Sequence, residues 1–323
     1  MLVYGNKTVQ KAWYGDKKIY RAYIGDKLVF NYDFFWKNPY NNYLLYDGTL
    51  INYTDEGGTV INEGVNDVSL WSNLFFYAKD TGLYKGSNLL YDGKWSRLSY
   101  CHMLSYVGGT ELAFRYIEGY GIVDGEAAAY LSIYQVLDAS PSTPTIEPTL
   151  IKCNERTKKL YETYALTESG NLLFCSLIYT EDGIAVTGAE WIMRDSSVVD
   201  LCENAYLKQD GGIYTLSGSL VTTIDSTDVK SFEQGFIVDG FINKLSGSAL
   251  NTSNIGGFTA ASYNIAIKDG VLFDISDLSN VVAIPDASDN FVEVSRYAGR
   301  TDDNRIFQWK DGALKELILE NAE

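Results

Sequence analysis

The sequence contains few of the residues on which most catalytic and metal chemistry depends. Its 323 residues include one histidine, four cysteines, five prolines and three methionines. A His-based catalytic triad and a Cys/His zinc site each need several such side chains, so His102 alone disfavours both. A dyad with Cys101 is also disfavoured, because adjacent residues of a strand point to opposite faces.

The four cysteines stand far apart and include no CxxC pair. They are Cys101, Cys153, Cys175 and Cys202. An even number permits two disulfides, but reduced thiols buried in strands are the favoured interpretation.

A long apolar run and a leader segment are also missing from the sequence. The longest mostly apolar stretch, around residues 172–179, falls far short of the ~20 residues that span a bilayer. Residues 1–6 have neither the charged region nor the apolar region of a signal peptide. We therefore expect a soluble protein, made in a cytoplasm, with no membrane insertion.

Positive charge is scarce outside the first 30 residues. The formal net charge is −16, while residues 1–30 carry +4 and the remainder −20. An acidic surface repels phosphates, so a nucleic-acid partner is not expected.

Tyrosine, glycine and other residues of strands and turns are abundant instead. The chain has 25 tyrosines, 29 glycines and 14% aromatic residues. Tyr, Phe, Val, Ile and Thr favour strands, and Gly beside Asp or Asn favours tight turns. This composition predicts an all-β protein.

A short repeat opens the chain with a period of ten residues. Its three copies are Tyr4-Gly5-Asn6-Lys7, Tyr14-Gly15-Asp16-Lys17 and Ile24-Gly25-Asp26-Lys27. A Gly-Asn or Gly-Asp pair between two strand-like runs predicts a hairpin with a two-residue turn. We expect residues 1–36 to form a small meander of about four strands, with Trp13 and Tyr23 on its apolar face. A sheet of that size is marginal alone, so it should pack on a partner.

These tandem units resemble N-terminal segments of tailed-bacteriophage virion proteins, including tail appendages and receptor-binding proteins. The resemblance implies that residues 1–36 anchor the chain to a particle through Trp13, Gly15, Tyr23 and Gly25. It also implies a place in the virion tail after assembly in the host cytoplasm, other tail proteins as partners, and several copies per particle. An ordinary β-meander without an anchoring role is the alternative.

A looser repeat fills residues 37–323. Asp-Gly pairs recur between strand-like runs, at positions 47–48, 92–93, 124–125, 182–183, 210–211, 239–240, 269–270 and 311–312. A further short strand precedes several of these hairpins, at residues 67–71, 197–201, 228–232 and 292–295. A unit of three or four strands repeated every 30–45 residues is typical of a β-propeller blade.

We therefore predict a β-propeller of six to eight blades, with seven favoured. Residues 43–51 are expected to pair with residues 305–309 to close the ring. A β-sandwich or a β-solenoid is the alternative. The repeat broadly resembles that of the regulator-of-chromosome-condensation propellers, but the glycine-rich and Trp-Gly motifs of that family are missing, so an exchange-factor function is not implied.

Two segments interrupt the pattern of strands. Residues 140–148 hold three of the five prolines and predict an extended loop within the ring, or a linker between two domains. Residues 313–321 are the best helix candidate and could equally form the last strand.

The motifs of catalysis and metal binding are not found. Residues 107–110 lack the lysine of a phosphate-binding loop, and residues 92–95 lack the spacing of a sialidase Asp box. The acidic turns at residues 225–228 and 286–290 do not fit an EF-hand. We predict no catalytic residue, no metal site and no cofactor.

Three tryptophans are candidate platforms for a sugar. Tyr and Trp offer rigid flat faces with a polar edge, which suits recognition surfaces. Trp71, Trp95 and Trp191 fall near predicted blade edges or loops, although a core position is the favoured interpretation for each.

The favoured function is that of a non-enzymatic phage virion component. It would attach through its N-terminal repeats and present a β-propeller to another tail protein or to a host-surface carbohydrate. A propeller glycoside hydrolase or lyase that acts on surface polysaccharide with a carboxylate pair is the alternative. An interaction scaffold encoded by a cellular host is the third hypothesis.

Overall fold

A computed structural model describes most of the chain, and its regular elements are all β-strands. The described residues are 3–4, 7–8, 12–14, 17–19, 21–24, 27–31, 36–40, 42–54, 57–71, 74–108, 112–136, 149–179, 186–287, 290–310 and 312–317. The all-β class predicted from composition is therefore confirmed. In these ranges, no helix is long and apolar enough to cross a membrane.

The N-terminal repeat forms three separate hairpins. Their strands are β1 (Val3–Tyr4), β2 (Lys7–Thr8), β3 (Ala12–Tyr14), β4 (Lys17–Ile19), β5 (Arg21–Ile24) and β6 (Lys27–Asn31). In each hairpin the last paired residues, such as Tyr14 and Lys17, are separated by two residues in the sequence. This is the spacing of the two-residue turn that the repeat predicts.

The expected single meander is not formed by the described residues. Each hairpin is a two-stranded sheet of its own.

The rest of the chain builds antiparallel sheets in sequence order. The first two have four strands each. They are β7 (Trp36–Tyr40), β8 (Tyr43–Tyr46), β9 (Thr49–Thr54) and β10 (Gly57–Asn62), then β11 (Asp67–Trp71), β12 (Leu74–Lys79), β13 (Gly82–Lys85) and β14 (Asn88–Tyr91). We call these groups unit 1 and unit 2.

A seven-stranded sheet follows. Its strands are β15 (Trp95–Gly108), β16 (Leu112–Val123), β17 (Glu126–Val136), β18 (Thr149–Tyr161), β19 (Tyr164–Thr167), β20 (Leu172–Tyr179) and β21 (Val186–Asp195). Strand β18 pairs with β17 through residues 149–156 and with β19 through residues 157–161. The sheet therefore contains two four-stranded groups that share β18, which we call unit 3 and unit 4.

Four more four-stranded sheets complete the described chain. Unit 5 contains β22 (Val198–Leu201), β23 (Ala205–Lys208), β24 (Gly212–Thr215) and β25 (Leu220–Thr223), and unit 6 contains β26 (Val229–Phe232), β27 (Gly235–Val238), β28 (Phe241–Ser246) and β29 (Ala249–Thr252). Unit 7 contains β30 (Ala260–Ser262), β31 (Ile265–Lys268), β32 (Val271–Asp274) and β33 (Val282–Ala283), and unit 8 contains β34 (Phe291–Ser295), β35 (Ala298–Thr301), β36 (Ile306–Lys310) and β37 (Ala313–Glu316). The segment that could have been a helix is thus a strand at residues 313–316, and the proline-rich segment lies outside the described residues.

Four of the Asp-Gly pairs form the turn between the second and third strands of their units. Asp47, Asp124, Asp239 and Asp269 have φ values between 45° and 53°, and the glycine after each has φ between 76° and 85°. Two consecutive residues with positive φ define a type I′ turn, whose twist matches that of the flanking strands. The hairpins predicted at these four positions are confirmed.

The glycine carbonyl of these turns also connects one unit to the next. Gly48 O accepts a hydrogen bond of 2.8 Å from Val65 N, and Gly240 O accepts one of 2.9 Å from Phe258 N. Likewise, Gly125 O accepts a hydrogen bond from Thr157 N, and Gly270 O accepts one from Phe291 N. The turn of each of these four units therefore fixes the residue at which the chain enters the following unit.

The hydrophobic core of the described residues is divided into eight clusters, seven of which lie between consecutive units. For example, Phe76 of unit 2 packs with Trp95 and Tyr130 of unit 3. Neighbouring sheets thus bury their facing sides against each other. A single sheet has no such partner to cover its apolar face.

The eighth cluster joins the last unit to the first. Leu44 of unit 1 packs with Ala298, Ile306 and Leu317 of unit 8. The expected pairing of residues 43–51 with residues 305–309 is wrong, because β8, β9 and β36 each pair within their own sheets. Side-chain packing makes this contact instead, with a hydrogen bond of 3.1 Å from Lys310 Nζ to Asn42 Oδ1.

Candidate functional site

A cavity of about 230 Å³ lies where the first strands of the units come together. We call it the first-strand cavity. Each of the eight units contributes one charged or tyrosine side chain to its lining. In unit order these are Tyr40, Asp67, Arg97, Tyr161, Glu203, Glu233, Tyr263 and Arg296.

Four of these residues occupy the same position in their units. Glu203, Glu233, Tyr263 and Arg296 each come first in the two-residue turn between the first and second strands. Tyr263 and Arg296 have φ of 49° and 52° there, which is uncommon for residues with bulky side chains. The repeat therefore delivers four side chains, of three residue types, to one cavity.

Both arginines of the cavity lie over tyrosine rings. The guanidinium carbon of Arg296 is 4.4 Å from the ring centre of Tyr263 and 5.5 Å from that of Tyr40. The guanidinium carbon of Arg97 is 5.6 Å from the ring centre of Tyr161. Such contacts hold the guanidinium planes by cation–π attraction without using their N–H groups.

Glu203 is a carboxylic acid whose proton is held more tightly than usual. Burial raises the pKa of Glu203, and the negative charge of Glu233 adds to this effect. A hydrogen bond of 2.9 Å from the Tyr263 hydroxyl and the charge of Arg296 oppose it but do not cancel it. The pKa of Tyr263 is itself raised, first by burial, so this hydroxyl is not an activated nucleophile.

Glu233 has an oxygen without a hydrogen-bond partner. Its Oε2 atom is buried and receives no hydrogen bond. Its backbone carbonyl accepts a bond of 2.8 Å from Glu203 N, which places the two acidic residues next to each other. A buried carboxylate oxygen that receives no hydrogen bond is costly in free energy.

Other side chains near the cavity connect neighbouring first strands. Asp67 Oδ2 accepts a hydrogen bond of 3.0 Å from Leu98 N, and the Tyr40 hydroxyl accepts one of 2.5 Å from Leu70 N. The Ser262 hydroxyl accepts one of 2.7 Å from Arg296 N. These bonds fix the strand ends from which the cavity residues project.

The predicted sugar platforms are not part of this cavity. Trp95 is 0% exposed and packs in the core between units 2 and 3, so neither face of its indole is open to a sugar. Trp191 is half-buried, and its Nε1 donates a hydrogen bond of 3.0 Å to Ile151 O. Trp71 ends β11, and its side chain lies outside the described residues.

The predicted anchoring residues lie outside the described side chains. Trp13 pairs with Lys18 in the second hairpin, and Tyr23 pairs with Leu28 in the third. Gly15 and Gly25 fall in turns that are not described, so the anchoring role of all four stays a prediction.

The cysteines described with their side chains are free thiols. Cys175 and Cys202 are buried, and Cys153 is half-buried. Burial raises the pKa of Cys202 to about 11, which keeps this thiol protonated and unreactive at neutral pH. In the part of the chain that the structure describes, no group of three or more His, Cys, Asp or Glu residues could hold a metal ion.

A buried amine between units 6 and 7 gives a test of the packing there. Lys244 Nζ donates hydrogen bonds of 3.1 Å to Asn264 Oδ1 and 3.0 Å to Ile275 O. Burial lowers the pKa of Lys244 to about 8, although the charge of Asp274 opposes this shift.

We expect Lys244→Met to flatten the pH dependence of stability between pH 8 and pH 10. The unfolded lysine, with a pKa near 10.4, holds its proton through that range, while the folded one loses it from about pH 8. The free energy of unfolding should therefore rise with pH in the wild type by an increment that the variant lacks. Urea unfolding at pH 7, 8, 9 and 10 measures this difference. The exposed Lys230→Met is the control, and equal slopes in wild type and Lys244→Met would contradict the burial.

The sequence matches no protein-family model, and no curated protein shows significant similarity to it.

None of the eight charged or tyrosine residues of the cavity was a candidate from the sequence, including Arg97, Glu203, Glu233 and Arg296. A signal for three of them was present. Glu203, Glu233 and Arg296 follow the short strands recognised at residues 197–201, 228–232 and 292–295. An alignment of the units on these strands, rather than on the Asp-Gly turns, places the three residues together.

Proposed function

We propose that units 1–8 form an eight-bladed β-propeller and that this protein is a non-enzymatic component of a tailed-phage virion. In this proposal the N-terminal hairpins attach the chain to the particle, and the propeller binds a host-surface glycan or another tail protein. The observation that carries the propeller is the eighth cluster, in which Leu44 of unit 1 packs with Ile306 of unit 8.

The alternatives for the architecture account for this contact less well. A solenoid leaves its first and last repeats without a shared core. A sandwich buries one face of each of two sheets rather than a cluster at every junction. The count is eight rather than the favoured seven because residues 149–161 form one strand that serves two units.

The attachment role is supported by the order of the parts along the chain. Three hairpins from a strict ten-residue repeat precede the first unit, and their segment is basic whereas the rest is acidic. The predicted boundary between residues 36 and 37 falls within β7, next to its first residue, Trp36. Several copies on one particle would turn weak individual contacts into firm attachment through avidity.

Deletion of residues 1–32 is expected to remove the protein from particles. The deletion ends before β7, so the eight units retain all their strands. Purified particles that carry the wild-type or the deleted gene are compared by immunoblot, and we expect at least a tenfold loss of the protein from the deleted particles. Circular dichroism and thermal unfolding of the purified deletion variant control for misfolding.

Unchanged incorporation of a folded deletion variant would overturn the anchoring role. The genes beside this one give an independent check, since tail and portal genes are expected there. Neighbours that belong to a cellular pathway would favour the host-encoded scaffold instead.

A propeller glycoside hydrolase is the second candidate, and the acidic pair of the cavity favours it. Glu203 has a raised pKa and lies beside Glu233, and two carboxyl groups in unequal environments are the machinery of glycosidases. The purified protein is incubated with host-surface polysaccharide, and new reducing ends are measured. Hydrolysis by the wild type that is abolished in Glu203→Gln would establish this candidate, and no hydrolysis is expected under the favoured proposal.

A further inference from the structure

The first-strand cavity has hydrogen-bonding capacity that the protein leaves unused. Glu233 Oε2 is a buried acceptor that receives no hydrogen bond. Within the described residues, the guanidiniums of Arg97 and Arg296 make no hydrogen bond or ion pair, and both lie over tyrosine rings. Buried polar atoms are nearly always satisfied, so Glu233 Oε2 points to a ligand or to ordered water, and the two half-buried guanidiniums offer donors in the same cavity.

A ligand that meets these groups must both donate and accept hydrogen bonds. The buried Glu233 oxygen lacks a donor, whereas an arginine can only donate and needs an acceptor. An ammonium group would satisfy the glutamate alone, and a carboxylate would satisfy the arginines alone. A hydroxyl donates through its O–H and accepts through its lone pairs, so neighbouring hydroxyls of one molecule can serve both.

The charges around the cavity favour a neutral ligand. Asp67, Glu203 and Glu233 face Arg97 and Arg296, so the carboxyl groups exceed the guanidiniums by one. The rest of the chain after residue 30 carries −20, which opposes an anion further. A cationic group offers no acceptor to the N–H groups of Arg97 and Arg296, and the two guanidiniums repel it where it would have to meet them.

The size of the cavity limits the ligand to a small one. Its volume of about 230 Å³ lies below the roughly 300–1,000 Å³ of sites that take drug-sized molecules. One pyranose ring with its hydroxyls is the neutral, hydroxyl-rich biological group of this scale.

From these features we infer that the first-strand cavity binds a single neutral sugar residue, such as the end residue of a glycan chain. In this site Glu233 accepts hydrogen bonds from sugar hydroxyls, and the N–H groups of Arg97 and Arg296 donate to hydroxyl oxygens. The inference rests on the proposed function, of which it selects the glycan-binding form.

Titration of the full-length protein with single sugars tests this assignment. The probes are glucose, galactose, mannose and N-acetylglucosamine as neutral sugars, glucuronate as an anionic sugar and glucosamine as a cationic one. Saturation-transfer NMR and calorimetry are expected to show millimolar binding of at least one neutral sugar. Glucuronate and glucosamine should bind at least tenfold more weakly than their neutral counterpart.

Matched variants locate the binding. Glu233→Gln is expected to weaken it about tenfold or more, because one of the two acceptor oxygens becomes an NH2 donor. Arg296→Lys should weaken it similarly, since the planar fork of N–H donors is removed. The controls are Glu190→Gln and Arg194→Lys, which change an exposed acid and an arginine that lies over Phe174 at 4.6 Å, outside the cavity.

Several results would overturn the inference. They are the absence of neutral-sugar binding at 100 mM, preferential binding of glucuronate or glucosamine, unchanged affinity in a folded Glu233→Gln, and a loss of binding in Trp191→Ala alone. Attachment of the labelled wild-type protein to host cells is measured in parallel. Attachment that persists in Glu233→Gln leaves the proposed function standing without this site, whereas a wild-type protein that is absent from particles and attaches to no cell contradicts the function itself.

Discussion

Replacing Trp95 with alanine is expected to lower the free energy of unfolding by about 3–5 kcal/mol. The indole is 0% exposed and lies edge-on against Tyr130, with ring centres 5.6 Å apart. It also donates a hydrogen bond of 3.3 Å from Nε1 to Asp92 O. Its removal leaves a large cavity in the cluster that joins units 2 and 3.

The close fit around Trp95 explains why the site cannot collapse easily. A methyl group added at Gly121 would lie 2.7 Å from the indole and 2.8 Å from Arg97 O, so the glycine makes room for the ring. Neighbours held this tightly by the sheet cannot move far to fill a vacated volume. Urea unfolding, monitored by near-UV circular dichroism, measures the loss of unfolding free energy.

The same substitution at Trp191 is the control for that experiment. This side chain is half-buried at the edge of the cluster between units 3 and 4, so Trp191→Ala should cost clearly less than Trp95→Ala. Equal losses would mean that Trp95 is not the buried anchor of its junction.

Replacing Asp200 with alanine is expected to lower the free energy of unfolding by about 2–4 kcal/mol. The carboxylate accepts hydrogen bonds of 2.5 Å from Lys159 Nζ, 2.9 Å from Leu201 N and 3.3 Å from Ser231 N. It therefore connects the first strands of units 4, 5 and 6. Its removal leaves the ammonium of Lys159, whose side chain is 25% exposed, without its ion-pair partner.

Acid should reduce the effect of this substitution. Burial alone would raise the pKa of Asp200, but the hydrogen bond and charge of Lys159 outweigh it and lower the pKa overall. Because the pKa of Asp200 is lower in the folded chain than in the unfolded one, its ionised carboxylate stabilises the fold at pH values above the unfolded pKa, near 3.9. This stabilisation is lost as the pH falls through the folded pKa. The gap between wild type and Asp200→Ala in urea unfolding should thus be constant from pH 5 to 7 and shrink below about pH 4.

Two further variants make the test specific. The exposed Asp225→Ala should change the free energy of unfolding by less than about 0.5 kcal/mol. The double variant Lys159→Met, Asp200→Leu should be more stable than Asp200→Ala, because no uncompensated charge remains. A double variant as unstable as the single one would show that the ion pair is not the source of the loss.

Much of the strand pattern could be predicted from the sequence. The Asp-Gly turns at residues 47–48 and 239–240 stand between alternating apolar runs, which is sufficient local information for a hairpin. The short strand predicted at residues 67–71 is β11. These hairpins and strands are determined by the turn and strand preferences of residues close together in the sequence.

The features that were missed depend on contacts between distant residues. The division of β18 between two units is set by its partners β17 and β19, and nothing in the sequence of residues 149–161 marks it. Trp95 lies in the core, the position favoured for it, but its partners Phe76 and Tyr130 come from two different units and could not be predicted from the residues near it. The cavity residues differ in chemistry from unit to unit, so no motif marked their shared position.

The hydrogen bonds from turn glycines to the following units have a consequence for how this sequence can diverge. At Gly48, Gly125, Gly240 and Gly270 both partners are backbone groups, so the contact places no demand on side-chain chemistry. The repeated copies can therefore drift apart at almost every other residue while their spacing in three dimensions is retained. The Asp-Gly dipeptide meets the demand for two consecutive residues with positive φ, whereas the first-strand turns can carry side chains that vary from copy to copy.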